Sequence, residues 1–528
     1  MGQITFRGNL SARAFPLIAE QFGRTVIVGG QDQNFNRQIQ SEADIDKDRG
    51  IPQVYYCHNV MPTAEGLQSV GYTQQTTINS PVPDTFRFVY TARNTAGLYV
   101  LVGHTSDGKN YVIRPGFTFW TQINTIAGDI GTAQVTTANI NGQTYFCFEG
   151  LGVYYLNTSI IPYTLDKVNL LGLLDANVRG ITSSSGYLIA WSNTYVGWSS
   201  AIAHTVVTDP FDFVPSLITG AGGGQIESAR GAINVCVNHY LGFIIYTTNN
   251  AIGAMYSGNA RFPFNFKEII GAGGVVDIGL ISSDSDAGNH YAYTSSGLQL
   301  VGMTNVSSPM SEVTDFLAGR YFEDFDDTTK QFIRQILTTP MRKAINVISD
   351  RYLVISYGIN VDFAILNLTH AIVYDLAQKR FGKFKIDHVA SFEFGITLFS
   401  DPERRDAPRT SIAFLQKNGT IKTVEFTVGN ETSNGTLILG KYQYVRARLL
   451  QLEGIELENV FPASTFSVSN LLSIDGKNTV LMPVTAITPV GNLRTYACRQ
   501  TGINHSLLVQ GNFYMSSLIL KFNMHGRR

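Results

Sequence analysis

GLYVLVGHTSDGKNYVI (97–113), GQTYFCFEGLGVYYL (142–156), GYLIAWSNTYVGW (186–198) and LGFIIYTTNNAIGAMY (241–256) share one grammar. Each is an apolar strand, a polar turn usually holding Gly or Asn, and a second apolar strand, the signature of a β-hairpin. Looser copies follow as HYAYTSSGLQLVG (290–302), RYLVISYGINVDFAILNLTHAIVYDL (351–376) and SIAFLQKNGTIKTVEF (411–426). Successive units start 45, 44, 55, 49, 61 and 60 residues apart. That spacing brackets the roughly 40 to 50 residues of a four-stranded propeller blade, with insertions in the later units. The expected fold is therefore all-β: a β-propeller of six or seven blades, each hairpin supplying the inner or middle pair of a blade, and ring closure hiding the strand edges.

Outward from these units the pattern changes. Residues 1–50 are polar and lack the repeat, and read as an N-terminal arm or platform strand. The propeller is expected over 51–430. Within it, Ser308 as N-cap and Pro309 at the first helical position open a helical insertion at about 308–337, with Val313, Phe316 and Leu317 on one face. The acidic run Glu323-Asp324-Phe325-Asp326-Asp327 reads as a solvated turn, with a cation site as the sharper alternative. From about 431 to 528 the repeat fails while strand runs continue, predicting a C-terminal β platform domain.

The chain has 528 residues, 44% hydrophobic and only 15% charged against roughly 25% in an average soluble protein. Much of the surface is then Asn, Gln, Ser, Thr and Gly, which suits packing against other subunits. Lys and Arg number 39 and Asp and Glu 40, leaving no global charge for gripping nucleic acid or an anionic membrane. Cys57, Cys147, Cys236 and Cys498 lie far apart without metal or redox spacing, and read as buried thiols made in a reducing cytoplasm. The first residues carry neither a signal peptide nor a myristoylation pattern, and no apolar stretch is long enough to span a membrane.

No catalytic, cofactor-binding or metal-ligating constellation is found. The nine histidines form no HxH, HExxH or HxxxH pair. There is no nucleophile elbow or P-loop, and Gly222-Gly223-Gly224 reads as a flexible loop. A glycosidase needs two convergent carboxylates; Asp107, Asp277, Asp350 and Asp375 fall at strand ends with nothing to bring two together. Ser106-Asp107-Gly108 is explained by turn chemistry. Trp120, Trp191 and Trp198 are candidates for a sugar-stacking platform, with blade packing as the commoner role.

Three ordered stretches carry a family resemblance. The first is Asn59-Val60-Met61-Pro62 through Gly66 to Gly71. The second is Trp198-Ser199-Ser200, then Asp212-Phe213-Val214-Pro215-Ser216 and Thr219-Gly220-Ala221-Gly222, ahead of the strand Phe243-Ile244-Ile245-Tyr246. The third is Ile372-Val373-Tyr374-Asp375-Leu376 leading to Arg380-Phe381-Gly382-Lys383-Phe384. Together, over roughly residues 55–385, they resemble the tail nozzle and packaged-DNA stabilisation proteins of short-tailed bacteriophages, also called tail tubular protein B. The resemblance implies a structural virion protein of the tail and no enzyme. It implies a homohexamer below the portal and its adaptor ring, with attachment surfaces for tail fibres or spikes. Double-stranded DNA passes through the lumen without sequence-specific binding. Such a protein is made in the bacterial host cytoplasm. A near-neutral chain suits a conduit, since a basic lumen would trap phosphates; lumen-facing loops are expected to carry Asp, Glu, Asn or Gln. The competing reading is a receptor- or glycan-binding propeller adhesin of the tail, with a glycoside hydrolase third.

Overall fold

The structure is a computed structural model. It describes residues 2–6, 26–28, 54–62, 67–74, 86–93, 99–114, 117, 119–125, 134–200, 211–259, 262–283, 288–308, 313–314, 345–348, 351–357, 368–377, 380–394, 411–426, 434–444, 449–458, 460–473, 480–486, 491–515 and 517–524.

Seven antiparallel blades of four strands form the propeller: six are built from four successive strands, blade 6 as part of a larger seven-stranded sheet, and the seventh borrows its fourth strand. Blade 1 is Phe86–Arg93, Tyr99–Thr105, Lys109–Ile113 and Thr121–Thr125. Blade 2 is Val135–Ile140, Gln143–Phe148, Gly152–Asn157 and Thr164–Val168. Blade 3 is Gly180–Ser184, Tyr187–Trp191, Tyr195–Trp198 and Gly222–Gln225. Blade 4 is Ile233–His239, Gly242–Thr247, Ala251–Tyr256 and Phe264–Glu268. Blade 5 is Ile281–Ser283, His290–Thr294, Gly297–Val301 and Val306–Ser307. Blade 6 is Ile345–Ile348, Tyr352–Tyr357, Leu368–Asp375 and Arg380–His388. Blade 7 has only three consecutive strands, Ala390–Phe394, Ser411–Leu415 and Ile421–Glu425. All seven repeated hairpins are the second and third strands of their blades.

The fourth strand of blade 7 comes from the other end of the ring. Gly71–Gln74 pairs antiparallel with Ile421–Glu425, Gly71 opposite Glu425 and Gln74 opposite Lys422. The join is sealed by apolar packing of Val70, Met61, Phe384, Phe414 and Val424. Burying each such side chain is worth about 1.5–3 kcal/mol.

Blade faces are buried between neighbours, and side-chain hydrogen bonds cross every blade boundary. Tyr90 donates to Val135 O (2.8 Å), the Ile181 amide to Thr136 Oγ1 (2.8 Å) and Trp191 Nε1 to Asn234 O (3.3 Å). Asn234 Nδ2 reaches Val275 O (3.0 Å), and the Val347 amide donates to Ser282 Oγ (2.9 Å). Asn346 Nδ2 donates to Ser391 O (2.8 Å), and Trp120 Nε1 closes the circle on Gly419 O (2.7 Å). The innermost strands thus carry buried polar residues, and those named here are tolerated because they find partners on the next blade.

A second β body lies beyond the propeller. One of its sheets orders Gly2–Phe6, Ser517–Met524, Leu450–Glu458, Arg494–Gly502 and Thr485–Ala486. The other orders Val26–Val28, Gly435–Tyr444, Asn504–Asn512, Thr465–Ser473 and Val480–Pro483. Leu437, Leu439 and Val509 of one sheet pack against Ile455, Leu457 and Leu520 of the other.

Three expectations change. Val54–His58 is not a propeller strand; it pairs with Gly435–Tyr444 in the platform, Val54 opposite Leu439 and His58 opposite Thr436. Gly222-Gly223-Gly224 is not a loop but most of the outer strand of blade 3. A Cβ at Gly223 would collide with the Tyr195 hydroxyl, so a glycine there lets the Tyr195 ring lie across the strand. Of the helical insertion, Val313 and Thr314 are helical and Val313 is buried beside blades 5 and 6; the rest of 309–337 lies outside the described residues.

Propeller and platform share a sheet. Beyond blade 6, Arg380–His388 pairs with Val60–Pro62, which turns back as Leu67–Ser69 and pairs with Tyr514–Met515 of the platform. Asn59 governs this hairpin. Its φ of 52° is left-handed, a conformation Asn tolerates better than most residues. Its Oδ1 accepts from Tyr72 Oη (2.8 Å) and from the Lys385 amide (3.0 Å), and its carbonyl accepts from the Val70 amide (2.8 Å). One side chain therefore joins the closing strand, blade 6 and the platform strand ending at His58. Asn59→Ala is expected to cost about 2–4 kcal/mol in urea unfolding, from lost hydrogen bonds plus the left-handed backbone. Asn59→Gly should recover only the backbone part. A loss below about 0.5 kcal/mol for Ala would rule out this role.

Candidate functional site

The inner strands begin at one face of the ring and end at the other, and the two faces differ. At the beginning face, Arg179 precedes the first strand of blade 3. It donates to Glu149 Oε1 of blade 2 (2.7 Å), Asn193 Oδ1 of blade 3 (3.0 Å), and Ile233 O and Asn234 Oδ1 of blade 4 (2.9 and 3.2 Å). Glu149 Oε2 also accepts from the Gln134 amide N–H (3.1 Å). With its side-chain nitrogen turned toward Asn234 O (3.2 Å), Gln134 accepts from the Ile278 amide (2.8 Å). Gln134 belongs to blade 2, while Asn234 and Ile278 belong to blade 4 and the approach to blade 5. The side chain thus bridges blade 2 to blade 4 past the intervening blade 3. Asp277, 2% exposed, caps the short turn at Ile278 by accepting from the Gly279 amide (2.6 Å).

At the other face the hairpin turns of blades 2, 3 and 4 leave an open cleft of about 400 Å³. Asn139, Asn141, Ser183, Ser185, Tyr187 and Asn238 line it, and no lining side chain is charged. Asn141-Gly142 (φ 50° and 79°) and Ser185-Gly186 (φ 50° and 82°) are two-residue turns with both positions left-handed. That is the hairpin geometry whose twist matches the flanking strands. Neighbouring Tyr240 is 64% exposed and stacks on His239, ring centroids 4.6 Å apart.

Among the described residues the candidate carboxylates do not converge. Asp107 pairs with Lys109 (2.6 Å) in a turn of blade 1, its carboxyl pKa lowered first by the bond to Lys109. Asp277 caps the turn at Ile278, Asp375 bonds Arg351 (3.1 Å) in blade 6, and Asp350 lies outside the described residues. Trp191, 2% exposed, packs between blades 3 and 4 and offers no face to a sugar. Trp120 is 5% exposed. Trp198 bonds Gly220 O (3.1 Å) and stands edge-on to Phe264. Cys147, Cys236 and Cys498 are buried free thiols, their pKa values pushed up by burial, that of Cys498 to about 12. Glu323–Asp327 lies outside the described residues, and no group of three metal-ligating side chains occurs among the described ones. Among those residues no helix is long and apolar enough to cross a membrane.

The stretches that carry the family resemblance are structural joints. Ser199 and Ser200 are fully buried, Ser199 Oγ accepting from the Leu188 amide (3.0 Å) and the Ser200 amide bonding Asp212 O (2.9 Å). The Phe213 amide donates to Leu171 O (2.9 Å), tying this loop to blade 2. Sequence reasoning missed the Arg179 hub and the cleft. The available signal was positional, since Gln134 and Arg179 each stand immediately before an inner strand.

No protein-family model matches the chain, and no curated protein sequence does. Among solved structures it is similar to the β-propeller domain of Cps50 (Swd1) from Myceliophteria thermophila, at 11% identity and a TM-score of 0.37, covering 67% of this chain and 100% of that one. It is also similar to the extracellular domain of the putative one component system BT4673 from B. thetaiotaomicron, at 9% identity and a TM-score of 0.38, covering 74% and 43%. The propeller assignment rests on the chain's own strand order.

Buried imidazoles mark where acid will act. His104 and His290 are fully enclosed in blades 1 and 5, and burial lowers both to pKa about 4. At the platform junction, His58 and His370 lie with ring centroids 5.4 Å apart and are lowered by burial to about 4 and about 3. All four remain neutral in the fold while the unfolded chain protonates near 6.5. Stability is therefore intact above pH 6.5 and falls as pH drops toward 4, each histidine contributing up to roughly 1.4 kcal/mol per pH unit. Urea midpoints measured from pH 7.5 to 4 should decline steeply below 6.5. Combining His104→Gln with His290→Gln should flatten that decline; an unchanged slope would exclude these two as its source.

Proposed function

We propose that the chain is a non-enzymatic structural subunit of a short-tailed phage tail. Six copies form the distal nozzle ring that retains packaged DNA and conducts it during ejection. The observation that carries this reading is the shared sheet at Asn59–Gly71. The stretch that opens the family resemblance is the one that fuses propeller to platform. A subunit that must hold one closing angle around a ring needs such a rigid joint, because a head-to-tail interface closes only at the correct rotation.

Two further features support assembly. Gln134 braces blade 2 against blade 4 and the approach to blade 5, and DNA would run in the lumen enclosed by neighbouring subunits. In the platform, Val480–Pro483 pairs on one side with Thr465–Ser473 and ends its sheet among the described residues. Val480, Leu481 and Met482 are 51, 55 and 36% exposed. An apolar edge strand left open invites pairing with another chain, and we assign a second copy to it.

Negative-stain electron microscopy of the protein alone, and mixed with the portal and adaptor of a short-tailed phage, tests the reading. Six-fold rings that stack on the adaptor are the expected outcome. Monomers that ignore the adaptor would overturn it in favour of the adhesin. In the same images, Val480→Asp with Leu481→Asp should shift rings to monomers while the monomer's melting temperature holds; rings that persist would place the interface elsewhere.

A further inference from the structure

The open cleft has a composition that selects its ligand. Its walls present amides and hydroxyls from three consecutive blades, with no cation to hold a phosphate or uronate and no carboxylate to hold an amine. Asn139 is fixed in orientation, because its Oδ1 accepts from Thr144 Oγ1 (2.7 Å). Asn141 and Ser185 project from rigid two-residue turns, so ordering them on binding costs little entropy.

Tyr240 supplies the complementary surface. It follows Asn238 by two residues in the hairpin turn of blade 4 and exposes most of its ring. The ring is held from behind by His239, which is itself fixed by contacts to Gly288 O (2.7 Å) and the Leu241 amide (3.1 Å). Tyr256, 44% exposed, stands beside the cleft wall with its ring 6.2 Å from that of Tyr187. An exposed aromatic ring two residues from the cleft-lining Asn238, with an uncharged cleft that carries amides and hydroxyls among apolar surface, matches a sugar ring, whose C–H face is apolar and whose rim is hydroxyls.

We infer that this cleft binds a short neutral oligosaccharide. Tyr240 stacks on a sugar ring while Asn139, Asn141, Ser183, Ser185 and Asn238 bond its hydroxyls. The inference goes beyond ring assembly and does not depend on it, since the cleft lies within one chain.

The full-length protein should be applied to a glycan array carrying neutral oligomers of glucose, galactose, mannose and N-acetylglucosamine, with sialylated and uronate-containing glycans alongside. Retention on one or more neutral glycans is expected, weakened at least tenfold by Tyr240→Ala, whose exposed position leaves the melting temperature unchanged. Ser183→Phe should fill the cleft and abolish retention; if that variant melts early, Tyr240→Ala decides alone. The proposal is overturned by no retention on any neutral glycan, by retention confined to acidic glycans, or by neutral retention that survives Tyr240→Ala.

Discussion

Everything in this architecture depends on closing a ring with a strand drawn from far along the chain. Thr73 meets Thr423 across 350 positions of sequence. Until that pairing forms, blade 7 has three strands and an open edge, and blade 1 lacks its neighbour on one side. Such a contact costs loop-closure entropy that no local interaction repays. The packing around it is accordingly dense. Tyr72 stands edge-on to both Phe384 and Phe414, and its hydroxyl is taken by Asn59. Burial raises the Tyr72 phenol well above its ordinary pKa, which marks a site closed to water.

The same residues settle how the two β bodies are held. A linker would leave propeller and platform free to turn, as interdomain contacts commonly do. Here the chain leaves the platform at His58, reverses handedness at Asn59, extends blade 6 by two strands and only then closes the ring. Val60 and Leu67 are buried in the platform core, whereas Met61 and Val70 are buried among blades 6 and 7. Alternation along a short hairpin thus places successive side chains in two cores. Neither body can shift without exposing residues of the other.

What the sequence disclosed follows the distance over which each element acts. The seven hairpins were legible because strand, turn and returning strand are adjacent, and because strands such as Tyr187–Trp191 and Gly242–Thr247 are buried along their whole length. The flanking strands were harder to see. Inner strands such as Ile281–Ser283 are short and partly polar, since their hydroxyls serve the next blade. The outer strand Gly222–Gln225 has almost no side chains, and its partner Tyr195–Trp198 lies across a long connection. Val54–His58 has an ordinary strand sequence, and only its partner, Gly435–Tyr444, assigns it to the platform. The cleft was invisible for a related reason. Asn141-Gly142 and Ser185-Gly186 read as ordinary hairpin turns, and only the circular order of the blades brings them beside Asn238.

The two faces of the ring show how one repeated unit can be bridged by side chains at one end and left open at the other. Where inner strands begin, a long side chain such as Gln134 or Arg179 reaches sideways, and blades 2, 3 and 4 and the approach to blade 5 supply the groups that meet it. Where the inner strands end, tight turns carry short side chains, Asn and Ser, which cannot reach the next blade's turn. Ser184, one position earlier, still bonds Gly242 O across the blade boundary. The cleft opens around this same turn, with Ser183, Ser184 and Ser185 all on its lining. Its neutrality is set by the residues at these exposed turns: amides and hydroxyls are satisfied by water and can exchange that water for another neutral hydrogen-bonding surface.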